Sequence, residues 1–168
     1  MKEVLIGLAL IGALAFGITE GEFKSDVDYV QRVEKRLDVL DKKAQEEGLR
    51  TEIIDELNSY GYPLQVIKDK YFMENEARYK KFYEKVKRVY EKVLFVKRGI
   101  FPEILRREIS GLHIPFCDVK SEGKRRETLT LVMKNPDKEA DVIKVMTQTQ
   151  LQYAHLLGIE SIKFEKCR

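Results

Sequence analysis

Residues 4–18 (VLIGLALIGALAFGI) are apolar or small at every position, and the polar flank Thr19-Glu20-Gly21-Glu22 follows directly. As a helix this segment would reach only ~22 Å, at ~1.5 Å per residue. That is short of the ~30 Å hydrocarbon core of a bilayer. It matches the apolar region of an export signal better, with Ala13-Leu14-Ala15 as an A-x-A cleavage site. Its basic leading region is weak, because Glu3 offsets Lys2, and no cysteine follows to carry a lipoprotein anchor. Two other readings stay open. In an uncleaved anchor, Ala9, Ala13 and Gly17 would form a small-residue packing face. In a cytosolic protein the segment would be a buried core element. Export or anchoring is the favoured reading.

Beyond this leader the apolar positions take a helical period. Ser25 and Asp28 have the form of a capping box. Behind them Val30, Val33, Leu37, Leu40 and Ala44 recur three and four apart, as on one helix face, and Gly48 marks the stop. A short helix is predicted from Thr51 to about Ser59, with Ile53, Ile54 and Leu57 inward, and Tyr60-Gly61-Tyr62-Pro63 reads as a turn. From Leu64 a second long helix is expected to run to Arg98 and end at Gly99. Tyr79, Phe82, Val86, Val89, Val93 and Val96 form its stripe. Two such helices imply a helical hairpin or an elongated arm. Their coiled-coil-like seams are also compatible with a homodimer.

After Gly99 the period changes. Phe101-Pro102 opens a short predicted helix through Ser110. Leu112–Val119 reads as a strand confined to an edge or bulge by Pro115, and Ser121–Arg126 as a turn around Gly123. Glu127–Met133 alternates as the clearest strand. Asn135 and Pro136 cap a helix expected to bury Val142, Met146, Tyr153 and Leu157 before stopping at Gly158. Ser161–Lys166 alternates as the last strand, which a right-handed crossover would set parallel to the second. The fold class is therefore α+β, long amphipathic helices followed by a small β-β-α-β unit. The chain divides into a signal or anchor (1–18), a helical arm (19–99) and a small domain (100–168).

Composition adds charge segregation to this picture. The formal net charge of the 168 residues is only +3. Yet residues 20–56 hold 12 acidic and 7 basic side chains, whereas residues 78–98 hold 9 basic and 2 acidic. Arg78, Lys81, Lys85, Arg88 and Lys92 line up along the second helix. The favoured explanation is that the basic helix lies antiparallel to the acidic one. The alternative is a cationic surface for nucleic acid or anionic lipid, with Tyr79, Tyr83 and Tyr90 available to stack. The high Lys, Glu and Arg content also suits a thermophile.

Candidate chemistry is sparse. The two histidines are His113 and His155, and the two cysteines Cys117 and Cys167. His113 and Cys117 would share one face of a strand and could form an activated thiolate. All four residues together are zinc-compatible, but their spacing fits no standard finger. His155 is expected near a helix C-terminus, where a cation suits the dipole. A Cys117–Cys167 disulfide is the stronger expectation in an oxidising compartment. No phosphate loop, dinucleotide fingerprint or hydrolase motif occurs. The sequence points to no cofactor and no catalytic residues. It suggests a non-enzymatic binding or scaffolding protein of the cell envelope, with an unidentified protein partner and membrane contact through residues 4–18 if they are retained.

Overall fold

The computed structural model describes residues 17–110, 116–136 and 148–168. The leader up to residue 16, His113, and the predicted helix from residue 137 to 147 lie outside the described residues. Three helices come first: α1 (Glu20–Glu47), α2 (Thr51–Tyr71) and α3 (Ala77–Ser110). A small unit follows, made of β1 (Phe116–Glu122), β2 (Thr128–Met133), α4 (Gln148–Leu156) and β3 (Ser161–Lys166). The fold is α+β, with long helices followed by a three-stranded sheet and its helix.

The start of α1 corrects the expected cap at Ser25. Thr19 Oγ1 accepts the Glu22 N–H at 3.1 Å, and the Glu22 carboxylate accepts a backbone hydrogen bond from Thr19. That reciprocal pair is a capping box six residues earlier than expected. The T-x-x-E pattern was present in the sequence but sat in the flank of the leader. Val30, Val33, Leu37 and Leu40 are buried along α1 as their spacing implies, and Gly48 ends the helix at φ +83°.

Helix α2 overturns the turn expected at Tyr60–Pro63, because it runs through Gly61 and Pro63 without a break. An interior proline costs about 3 kcal/mol and an interior glycine about 1. Continuing the helix buries Leu64, Ile67 and Tyr71 in register with Ile53 and Leu57. Leu64 and Ile67 return about 1.5–3 kcal/mol each. Tyr71 adds an edge-on contact with Phe82, ring centroids 4.8 Å apart. Burial outweighs the breakers. The real break falls between Tyr71 and Ala77.

Helix α3 likewise passes through Gly99 and Pro102, so the separate helix expected at Phe101–Ser110 is its last part. Proline at 102 lacks the N–H that would bond the Arg98 carbonyl one turn earlier. Ser121 Oγ donates to that carbonyl instead, at 2.6 Å. Gly99 has a different purpose from stopping a helix. A Cβ there would lie 2.4 Å from Arg126 Nη1, so the absent side chain is the passage for this arginine across α3.

Lys70 at the end of α2 bonds Asp26 at the start of α1 (2.9 Å), which sets these two helices antiparallel. Along α1 and α3, Lys85 meets Glu34 and Lys92 meets Asp38, so these two run parallel. The antiparallel pairing of acidic and basic helices is therefore corrected. The uninterrupted α2 supplies the return pass, and the arm is a three-helix up-down-up bundle. In the sheet, β2 is central, antiparallel to β1 and parallel to β3. Strand β1 extends to Glu122, so the tight turn is Gly123–Arg126, closed by Arg126 N–H to Gly123 C=O at 3.1 Å.

Among the described residues two apolar cores lie along α3. The bundle core ends at Ile100; the second begins with Phe101, Leu105 and Ile109 and continues through Val119, Leu129, Leu131 and Met133. Leu157 is buried there as expected, but Tyr153 is 41% exposed. It leans on Phe101 at the rim.

Candidate functional site

The cationic stripe forms on the N-terminal half of α3 because the apolar seam of that helix faces α1 and α2, leaving its long basic side chains on the flanks. Three of its five members meet the acidic helix. Arg78 donates to both carboxylate oxygens of Glu20 and also meets Glu76. Lys85 lies 3.7 Å from Glu34, and Lys92 lies 2.6 Å from Asp38. The hydrogen bonds from Arg78 hold Glu20 below the usual carboxylate range, and that pairing raises Arg78. Lys81 and Arg88 point outward, exposed, with no ion pair among the described residues.

The tyrosines divide as well. Tyr79 is 5% exposed and packs in an aromatic cluster with Phe23 and Tyr71, so it has no free face for a base. Tyr83 packs beside Phe72 under Lys87, and Lys68 lies over Tyr90 at 5.3 Å. Burial had already claimed the ring that aligns best with the stripe.

Where bundle meets sheet, two arginines that no motif flagged form a polar junction. Arg98 is 2% exposed. It donates to the carbonyls of Arg125 (2.8 Å) and Leu157 (2.7 Å) and to Glu91 (2.7 Å). Gly158, at φ +85°, leaves room for it, since a Cβ there would meet Arg98 Nη1 at 2.8 Å. Arg126 reaches back over Gly99 to both oxygens of Asp41, at 2.8 and 3.2 Å, with its guanidinium 4.0 Å from the Phe95 ring centre. One arginine goes from arm to sheet unit and the other returns. The sequence signal was indirect: each partner glycine looked like a helix stop.

Cys117 and Cys167 are joined as a disulfide, with Cα atoms 6.2 Å apart. Cys117 lies in β1 and Cys167 directly after β3, on opposite sides of β2. They meet just past its end, where β1 bulges at Phe116/Asp118 and Cys167 N–H bonds Met133 C=O. In this state neither sulfur is a free thiol, so neither the Cys117–His113 pair nor the four-residue zinc set has its thiolates. His155 lies exposed in the last turn of α4. Among the described residues no group of three or more His, Cys, Asp or Glu is placed to hold a metal.

A small apolar cleft between α2, α3 and α4 is lined by Ile54, Leu57, Lys97, Phe101 and Tyr153. Its volume of about 20 Å³ holds one water at most. Burial pushes the Lys97 ammonium below the usual lysine value.

Among the described residues no helix is long and apolar enough to cross a membrane. No family model matches the sequence, and no solved structure matches it. An uncharacterized protein of Aquifex aeolicus (strain VF5) is 30% identical over 170 residues, an alignment that takes in 100% of this chain and 99% of that protein. Bundle, junction and sheet unit all fall within that alignment, and the chain belongs to the same family as the Aquifex aeolicus protein.

Proposed function

We propose that this is an exported or membrane-tethered, non-enzymatic binding or scaffolding protein of the cell envelope, in which the helical arm offers the contact surface and the disulfide-closed sheet unit is the stable base. The observation that supports this most is the Cys117–Cys167 bond, which spans 50 residues. Such bonds persist in oxidising compartments and are rare in the cytosol of mesophiles, whereas intracellular proteins of hyperthermophiles also carry them. The apolar run at residues 4–18 agrees with that placement, as export signal or as tether.

The test is fractionation of the native host followed by thiol alkylation. Protein in the envelope fraction should leave both cysteines unlabelled until it is reduced. Recovery in the cytosolic fraction with both thiols labelled would overturn the proposal. The second reading, a cytosolic binder of nucleic acid or another anionic surface through residues 78–98, rests on Lys81 and Arg88, since Arg78, Lys85 and Lys92 are engaged by α1. Under that reading heparin affinity would fall steeply with salt and would vanish in a Lys81→Glu, Arg88→Glu variant.

A further inference from the structure

The end of the bundle that carries the leader also carries two exposed apolar side chains. Phe72 is 61% exposed and Met73 79%, neighbours in the break between α2 and α3. Single exposed apolar residues are ordinary on a protein surface. These two sit together beside the point where the leader joins the body. A Cβ on Gly17 would lie 3.6 Å from Glu74 Oε1, and the Ile18 carbonyl accepts the Tyr79 hydroxyl at 3.4 Å.

The base beneath them is firm. Phe23, Tyr71, Tyr79 and Phe82 form one aromatic cluster, with ring centres 4.8–6.0 Å apart. Lys70 bridges Glu22 and Asp26, the Tyr71 hydroxyl donates to Asp26 at 2.8 Å, and Arg78 closes on Glu20. Phe72 and Met73 therefore project from a fixed platform. Charge at this pole is balanced: residues 17–26 and 70–81 hold five acidic and five basic side chains. Acidic lipids would gain little there, so insertion of the apolar pair is the available attraction.

We infer that the Phe72–Met73 pole is a membrane-contact surface, seating the two side chains at the boundary between head groups and acyl chains while α3 stands away from the bilayer. The inference rests on the tethered form of the proposed function, with residues 4–18 as the tether. It adds an orientation. Amphipathic contacts of this kind reach about 5–10 Å below the head groups. The sheet unit packs along α3 from Arg98 to its end, so at ~1.5 Å per residue it would be held about 30–50 Å from the surface.

The sequence contains no tryptophan, so a single introduced one reports alone. The full-length Met73→Trp and Tyr62→Trp variants would each be reconstituted in phosphatidylcholine vesicles containing a lipid brominated near the head-group end of its acyl chains. Both sites are 79% exposed and tolerate the substitution. Tyr62 lies three helical turns from the pole. The expected result is co-flotation of both variants. Met73→Trp should show blue-shifted emission and lose roughly half or more of its intensity to the bromines, as expected of a shallow interfacial site. Tyr62→Trp should keep a water-like, unquenched signal. Flotation with an unquenched Met73→Trp signal overturns the inference and leaves the tether standing. Quenching of both variants also overturns it, since α2 would then lie flat on the bilayer. Failure to float overturns the inference and the tether together.

Discussion

Gly99→Ala separates local propensity from tertiary placement, because the two predict opposite signs. Gly99 sits inside a 34-residue helix, where alanine is favoured over glycine by about 1 kcal/mol. The new Cβ would stand 2.4 Å from Arg126 Nη1 and 2.9 Å from its Cζ. Arg126 would have to leave, giving up Asp41, the Phe95 carbonyl at 3.3 Å and the Phe95 ring. Arg126 and Asp41 are each about a fifth to a quarter exposed, so their pairing is only partly screened. Its charge-assisted hydrogen bonds are worth about 1–2 kcal/mol after that discount. The cation–ring contact adds about 0.5–1. The net expectation is a loss of about 0.5–2 kcal/mol for Gly99→Ala in the native background. In an Arg126→Ala background the same change should stabilise by about 1 kcal/mol, as helix propensity alone dictates. Urea unfolding of the four proteins of this double-mutant cycle, with the disulfide intact, gives the coupling directly. Equal stabilisation in both backgrounds would refute the passage over Gly99.

Three further outcomes test other parts of the structure. Arg98→Met leaves the Arg125 and Leu157 carbonyls without their donor, at about 1–3 kcal/mol each. At about 2–4 °C per kcal/mol the melting temperature should fall by about 4–24 °C, and an unchanged melt would remove Arg98 from the junction. Reducing the disulfide, or replacing both cysteines with serine, should cost about 2–4 kcal/mol. Hydrogen exchange should show the loss in β1 and β3 and leave α1 and α2 protected; uniform deprotection would contradict two separable cores. The third outcome concerns acid stability. Hydrogen bonds from Arg36 hold the Glu56 carboxyl below its ordinary value of 4.5, although burial opposes the shift. Because the folded value is the lower one, this stabilisation is present above about pH 4.5 and is lost as the pH falls through the folded pKa. Glu56→Gln should therefore unfold at a lower urea concentration at neutral pH and show a shallower acid decline. An identical acid profile would contradict the Arg36–Glu56 linkage.

Much of the fold was legible in the amino-acid order. The three-four spacing of Val30, Val33, Leu37 and Leu40, and of Tyr79 through Val96, named the buried face of α1 and of α3, because a helix presents such positions on one side whatever surrounds it. The alternation of β2 and β3 and the α+β class followed from equally local patterns, whereas the Cys117–Cys167 pairing was an expectation only for an oxidising compartment. The stops at Gly48 and Gly158 were legible too, but the continuity of α2 and α3 and the order of the helices in space were not. Gly61, Pro63, Gly99 and Pro102 are breakers by local rules, and each is overruled by a partner remote in sequence or by the burial that continuing the helix gains. Ser121 satisfies the carbonyl that Pro102 cannot, from 23 residues away. Arg126 occupies the space above Gly99 while bonded to Asp41, 85 residues earlier. The parallel course of α1 and α3 depended on α2 surviving its proline. Local pattern determined which faces are apolar, since that is a property of the helix or strand itself. Only the tertiary structure decided continuity and direction, because the energies that settle them belong to contacts between segments.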